Sequence, residues 1–186
     1  HARALTGITD ELVSWGLGYA KRSRIVADRS FPLAYSDDAP PQEEQARAEA
    51  FWRGLGFERG AAPFVACFFG AMGRHSDVGV ILDAARLLHW GPRDIRFVVC
   101  GQGDQLDALR AQAAGLPNVV MPGWVGRAHI WEMMRIASVG LAPYRDTVSY
   151  RASIPTKVIE CLSAGLPVVS SLPGLVEEFL EGKNAG

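Results

Sequence analysis

Apolar residues are unevenly spread along the chain. After Pro63 they come in short continuous runs, at residues 64–69, 97–100, 119–121, 139–142 and 167–170. Such runs mark strands covered on both faces. Between and after them, residues 80–89, 106–114, 130–136, 156–164 and 176–180 carry helical periodicity. In the first of these, Val80, Ala84, Leu87 and Leu88 are spaced for one apolar face. Short buried strands joined by helices of about ten residues imply right-handed crossovers. The prediction is an α/β fold, a Rossmann-like doubly wound parallel sheet. Ligands of such sheets bind beyond the carboxyl ends of the strands, at a topological switch point. The loops after Phe69, Cys100, Met121, Ala142 and Ser170 are therefore the places to search.

The first third of the chain reads differently. Residues 5–9 suggest a short strand, followed by a helix to Tyr19 with Asp10 as its cap and Leu12, Val13, Trp15 and Leu17 as its apolar surface. From Lys21 to Pro41 the periodicity dissolves. Lys21, Arg22 and Arg24 precede an extended apolar piece from Phe31 to Tyr35, and Ser36-Asp37-Asp38-Ala39-Pro40-Pro41 closes what reads as a linker. A polar helix is expected over 42–55.

Composition narrows the function classes. The 19 basic and 20 acidic side chains leave a net charge of −1, which argues against a nucleic-acid partner and against a polyacidic tail. With 48% apolar and 21% charged residues, the 186-residue chain has the composition of a folded domain. No apolar stretch is long enough to cross a membrane as a helix, and no signal-peptide pattern opens the chain. Cys67, Cys100 and Cys161 sit inside apolar runs without a C-x-x-C pair. They read as buried reduced thiols in a cytoplasmic protein, with no metal site expected. His1 in place of Met, and the turn-like ending from Glu181 to Gly186, suggest a fragment.

The chemistry lies at the strand ends. After the first central strand comes Gly70-Ala71-Met72-Gly73-Arg74. Gly70 and Gly73 would let backbone approach a ligand closely, and Arg74 would give a diphosphate a fork of donors; a tight turn with a solvated arginine is the alternative. Gly101-Gln102-Gly103-Asp104 begins like a dinucleotide fingerprint but has Leu106 where the third glycine belongs, so a helix-entry turn capped by Asp104 is favoured. Gly123-Trp124-Val125 offers backbone and apolar groups to a nucleobase, with ordinary packing the alternative for Trp124. Pro155-Thr156 suits a helix start, and Lys157 and Glu160 would share a face of that helix. They are placed either to hold phosphate and ribose or to form a surface salt bridge with each other.

The run from Pro155 to Val169 resembles the nucleotide-sugar site of retaining, family-four-like (group 1) glycosyltransferases of the GT-B fold. The Gly70 turn, Cys100-Gly101-Gln102-Gly103-Asp104, Asn118 to Gly123 and Gly174 to Glu178 stand around it in the family's order. The resemblance implies the C-terminal half of a two-domain GT-B enzyme. Residues 1–20 would be the last strand and helix of an N-terminal acceptor domain, 21–62 an interdomain linker and helix, and 63–186 the nucleotide-sugar-binding domain. It places Glu160 on the donor ribose, as the second glutamate of an E-x7-E pattern whose first position is Ala152. Ala71 stands where the family has a diphosphate-binding arginine, which leaves Arg74 and Lys157 to supply that charge as catalytic groups.

The implied reaction is transfer of a sugar from a nucleoside diphosphate sugar such as a UDP-sugar to a hydroxyl with retention, in polysaccharide or glycolipid synthesis. The resemblance implies no metal and no cofactor besides the donor. The acceptor, a sugar or lipid-linked sugar, would bind through the absent N-terminal domain, and the parent would sit in the cytoplasm or peripherally on the inner membrane face. The fragment alone is expected to be inactive. Alternatives are a non-catalytic GT-B-like scaffold, a sugar-nucleotide epimerase of the same fold and, more distantly, a nicotinamide-dependent enzyme.

Overall fold

The computed structural model describes residues 3–36, 38–61 and 63–183. Of the turn read over 181–186, residues 181–183 are helical instead, while 184–186, like Asp37 of the linker, lie outside the described residues. At the N-terminal side, β1 (Thr6–Gly7) pairs in parallel with β2 (Arg29–Ser30). The expected strand over 5–9 is therefore only two residues long, and its partner comes from the stretch read as linker. Asp28 explains why. Its buried carboxylate accepts from the backbone N–H groups of Leu5 (2.7 Å) and Ile25 (2.8 Å) and from both terminal nitrogens of Arg22 (2.6 and 2.7 Å). One side chain thus orders the turn that returns the chain beside β1.

Helix α1 (Asp10–Ala20) is capped by Thr9 rather than Asp10, its hydroxyl accepting from the Leu12 N–H at 3.2 Å. Asp10 instead joins Glu11 in the first turn, where negative charge suits the helix dipole. Val13 and Leu17 form its buried face, whereas Trp15 is exposed. Helix α2 (Gln42–Gly54) is mostly polar, and Ala48 and Trp52 are its fully buried residues.

Beyond α2 the strands and helices alternate as the apolar runs indicate: β3 (Phe64–Ala71), α3 (Gly79–Leu88), β4 (Ile95–Gln102), α4 (Leu106–Ala113), β5 (Val119–Gly123), α5 (Arg127–Ile136), β6 (Val139–Ala142), α6 (Val148–Arg151), α7 (Thr156–Ser163), β7 (Val168–Ser170) and α8 (Leu175–Lys183). The strands form one parallel sheet in the order β5-β4-β3-β6-β7. The order reverses between β3 and β6, so the crevice for a ligand opens there.

The central strand β3 shows why the sheet is covered on both sides. Val65, Cys67 and Phe69 face one apolar layer with Trp52, Met133, Val158 and Val168. Ala66 and Phe68 face the other, with Leu82, Val99 and Leu109. Burying a phenylalanine such as Phe68 contributes about 1.5–3 kcal/mol, and its truncation to alanine costs about 3–5 kcal/mol once the cavity is counted. All three cysteines are buried and free. Burial pushes the thiols of Cys100 and Cys161 up to about 12 and that of Cys67 well above its usual range, so none is a thiolate near neutral pH.

Three local expectations need correction. In α3 the buried face is Ile81, Leu82 and Ala85, while Val80, Leu87 and Leu88 are exposed. The helix is apolar on two sides, and packing against the sheet selected the other one. Asp104 does not cap α4; Gln105 occupies that position and no side chain caps the helix. The long loop before α7 contains α6, whose cap is Thr147, its hydroxyl accepting from the Tyr150 N–H.

Candidate functional site

Two glycines build the floor of the crevice. Gly70 and Gly101 face each other in register at the ends of β3 and β4. A β-carbon on Gly101 would stand 2.9 Å from the carbonyl carbon of Gly70 and closer still to its oxygen, and Gly101 has φ +147°. Only glycine lets the two backbones approach this closely. The result is a floor without side chains beneath a cleft of about 340 Å³.

The walls come from helices entering at the same end of the sheet. Trp124 and Val125, after β5, and Ile130 of α5 form one side; Lys157 and Glu160 of α7 form the other. Pro155 occupies the cap position of α7, and Val158 and Cys161 bury its inner face. That packing turns Lys157 and Glu160, three residues apart, toward the crevice. The Lys157 ammonium lies 2.6 Å from where a β-carbon of Gly70 would be, and 4.9 Å from the centroid of the Phe68 ring. Burial holds its pKa below the usual lysine value, and the nearby Glu160 charge partly offsets this. Among the described residues Lys157 and Glu160 form no ion pair with each other within 4.0 Å, so the salt-bridge reading does not hold. A half-buried cation and a carboxylate stand side by side, open to the cleft. Trp124 is 68% exposed at its lip, which removes the packing reading for that residue.

The expected site residues divide into three groups. Gly70, Gly101, Val125, Lys157 and Glu160 converge on this cleft. Gly73 lines a neighbouring chamber on the other side of Lys157. Arg74 is exposed on the turn after β3, and Gly123 ends β5 just before Trp124; neither lines the cleft.

Residues from the linker were not anticipated. Leu33 joins Ile8, Tyr144, Ile154 and Glu160 along a groove that continues from the crevice. Tyr35 lies with its hydroxyl against Glu160, close to Arg127; burial, followed by the hydrogen bond with Glu160 and then that group's charge, pushes its pKa up to about 12. Arg127 also donates to the backbone carbonyl of Asp38 at 2.5 Å. The apolar character of residues 31–35 was the available signal, but nothing local tells which surface that piece covers.

At its other end the linker is fixed on the back of the site. Trp52 of α2 donates from its indole nitrogen to the His129 carbonyl of α5 at 2.9 Å. Arg59 forms a two-pronged ion pair with the buried carboxylate of Glu132 on the same helix. Among the described residues no three His, Cys, Asp or Glu side chains group as a metal site.

A cation and a carboxylate flanking a glycine floor at the carboxyl ends of the central strands stand where open α/β sheets bind their ligands. The chain belongs to the family described as glycosyl transferases group 1, whose model matches residues 63–186. It is 33% identical over 75 residues to TuaH of Bacillus subtilis (strain 168), a protein named for teichuronic acid biosynthesis, covering 36% of this chain and 19% of that one. Two solved structures share the fold, the first of them a glycosyltransferase. WaaG, of lipopolysaccharide biosynthesis, superposes with a TM-score of 0.67 at 18% identity, covering 96% of this chain and 47% of that one. HepE from Anabaena, solved with UDP and glucose, does so with a TM-score of 0.61 at 17% identity, covering 95% and 46%. The chain thus spans about half the length of these solved relatives and less of the curated one.

Proposed function

We propose that this chain is the donor-binding half of a retaining glycosyltransferase that moves a sugar from a nucleoside diphosphate sugar to a hydroxyl acceptor. The observation that carries the reading is the approach of Lys157 and Glu160, without an ion pair between them, to a backbone floor at the carboxyl ends of β3 and β4. A diphosphate laid over Gly70 and Gly101 meets the Lys157 ammonium, whose charge acts strongly because the group is partly desolvated. The Glu160 carboxylate accepts hydrogen bonds from the two ribose hydroxyls, and Val125 and Trp124 flank the base. As the glycosidic bond breaks, negative charge grows on the leaving diphosphate, and a cation already in place stabilises it without rearrangement. Arg74, on the adjoining turn, adds a second cation when the ligand is bound. The diphosphate is then met by side chains, with no metal required.

The acceptor, a sugar or lipid-linked sugar, would reach the exposed mouth of the cleft from a facing domain, as in polysaccharide or glycolipid synthesis. No helix among the described residues is long and apolar enough to cross a membrane. We place the protein in the cytoplasm, on the side where nucleotide sugars are made.

Calorimetric titration of the chain with UDP, GDP and ADP tests the reading. One of them should bind saturably, and Glu160→Ala should weaken it at least tenfold. Lys157→Met should weaken the diphosphate far more than the free nucleoside. Absence of saturable binding for all three by the folded chain would reject it.

A further inference from the structure

The stretch from Phe31 to Pro40 leads from the N-terminal strand pair to the start of α2, and both its ends are fixed. At one end β2 runs beside β1, and the Phe31 N–H donates to the Gly7 carbonyl at 2.8 Å. At the other, Pro40 is buried and its carbonyl accepts from the Gln45 side-chain amide at 2.7 Å. Arg127, in the first turn of α5, donates to the Asp38 carbonyl at 2.5 Å. The Ser36 hydroxyl closes a local ring with Asp38, donating to its carboxylate at 2.6 Å and accepting from its N–H at 3.3 Å.

Between these anchors the chain meets Glu160. Leu33 lines the groove that Glu160 shares with Ile8, Ile154 and Thr156. Tyr35, half-buried, hydrogen-bonds through its hydroxyl to the Glu160 carboxylate and to the Arg127 guanidinium. A guanidinium has only donors and an ionised carboxylate only acceptors. The hydroxyl therefore accepts from Arg127 and donates to Glu160. Arg127 belongs to α5 and Glu160 to α7, so the phenol joins the two walls of the crevice.

Tyr35 does this from outside the cleft. It is not among the residues that line the space over the glycine floor, whereas Glu160 is. The ring thus leaves that space open. A carboxylate has about four lone-pair positions, and one given to Tyr35 leaves enough for two ribose hydroxyls. Among the described residues no cation forms an ion pair with Glu160, so Tyr35 is the side chain that restrains its carboxylate.

We infer that Tyr35 is a positioning residue: steadied by Arg127, it holds the Glu160 carboxylate in the orientation that receives the donor's ribose. The inference rests on the nucleotide reading of the cleft. It gives the linker a part in donor affinity, exerted through Glu160 and without contact to the ligand. Without the phenol hydroxyl, the Glu160 side chain has to be ordered at the moment of binding, and affinity falls.

The test pairs a variant with a change in the ligand. Kd values of the parent chain and of Tyr35→Phe are measured by calorimetry for UDP and, by competition, for 2′,3′-dideoxyuridine diphosphate, which lacks both ribose hydroxyls. If the chain selects guanosine or adenosine, the corresponding pair of diphosphates is used. Tyr35→Phe keeps the ring and its packing, and should raise the Kd for UDP about fivefold. The Kd for the dideoxy compound should stay within about twofold of the parent value. In a Glu160→Ala background the same substitution should change neither value. Arg127→Met, which frees the phenol, should weaken UDP and again spare the dideoxy compound.

Equal weakening of both ligands, or a loss that persists without Glu160, overturns the inference, because Tyr35 would then serve the fold alone. An unchanged Kd for UDP in Tyr35→Phe overturns it too, and a lower one would mark the phenol as a competitor of the ribose. All of these outcomes leave the nucleotide reading standing. Failure of every diphosphate to bind the folded parent removes the nucleotide reading, and the role of Tyr35 with it.

Discussion

Gly101→Ala tests the floor of the site directly. The added methyl would stand 2.9 Å from the carbonyl carbon of Gly70, against backbone that cannot swing aside as a side chain would, at a φ of +147°. Holding a non-glycine residue in such a backbone region costs about 1–3 kcal/mol, and forcing an extra methyl into a filled space adds about 1–3 kcal/mol. The expected loss is therefore about 2–6 kcal/mol. Gly115→Ala separates the two contributions, since Gly115 also has a positive φ, +83°, but nothing lies within 4 Å of its β-carbon position. It should show the conformational cost alone. Urea denaturation of the two variants and the parent chain gives both numbers at once. The gap between them should be about 2 kcal/mol, and nucleotide affinity should fall only in Gly101→Ala. Equal losses would show that the ends of β3 and β4 do not approach as described, and the account of the glycine floor would fall with them.

Three further outcomes are expected. Arg22 beside Asp28 holds that carboxyl well below the usual aspartate range, so its stabilisation is fully present above about pH 4 and is lost as pH falls below that value. The urea midpoint of the parent should drop more steeply than that of Asp28→Asn between pH 5 and roughly 2.5, and parallel slopes would contradict the role given to Asp28. Trp52→Phe should cost about 1 kcal/mol for the lost bond to the His129 carbonyl, and Trp52→Ala about 3–5 kcal/mol, measured by chemical denaturation; a Trp52→Phe variant as stable as the parent would mean the indole N–H has no partner. Arg59→Met should destabilise the chain by leaving the Glu132 carboxylate buried and unpaired, and Glu132→Gln should recover part of the loss. A double-mutant cycle with coupling of about 1–3 kcal/mol is expected, and strict additivity would refute the pairing.

The parts of this molecule that could be read from sequence are those fixed by local pattern. Phe64 to Phe69 has no polar interruption because both faces of β3 are covered, and that alone indicates a central parallel strand. Lys157 and Glu160 were legible because a proline marks the start of their helix and three residues bring two side chains to one face. Where local pattern is ambiguous, packing decides. In α3 the apolar residues occupy two faces, and only contact with the sheet selects Ile81, Leu82 and Ala85 over Val80 and Leu87. Thr9 and Asp10 are both good capping residues, and the choice follows from where the chain turns. The contribution of Tyr35 and Leu33 was not legible at all. They lie in a stretch without periodicity, and their place beside Glu160 depends on contacts with residues more than a hundred positions away.

The strand order also dictates when the site can come into being. β3 pairs on one side with β4 and on the other with β6, where Ala66 meets Val139. The glycine floor needs only the first partnership, formed over a short stretch of chain, but Lys157 and Glu160 arrive with α7 after the second. During synthesis from the N-terminus, the floor can exist before either charged group has been made. Until β6 is added, one edge of β3, carrying Val65, Cys67, Phe68 and Phe69, is an open template for pairing with another chain. Sequence-distant pairings of this kind fold slowly and lengthen that exposure. The interval before β6 is therefore the vulnerable period in the life of this protein, and chains interrupted there will be the ones that aggregate.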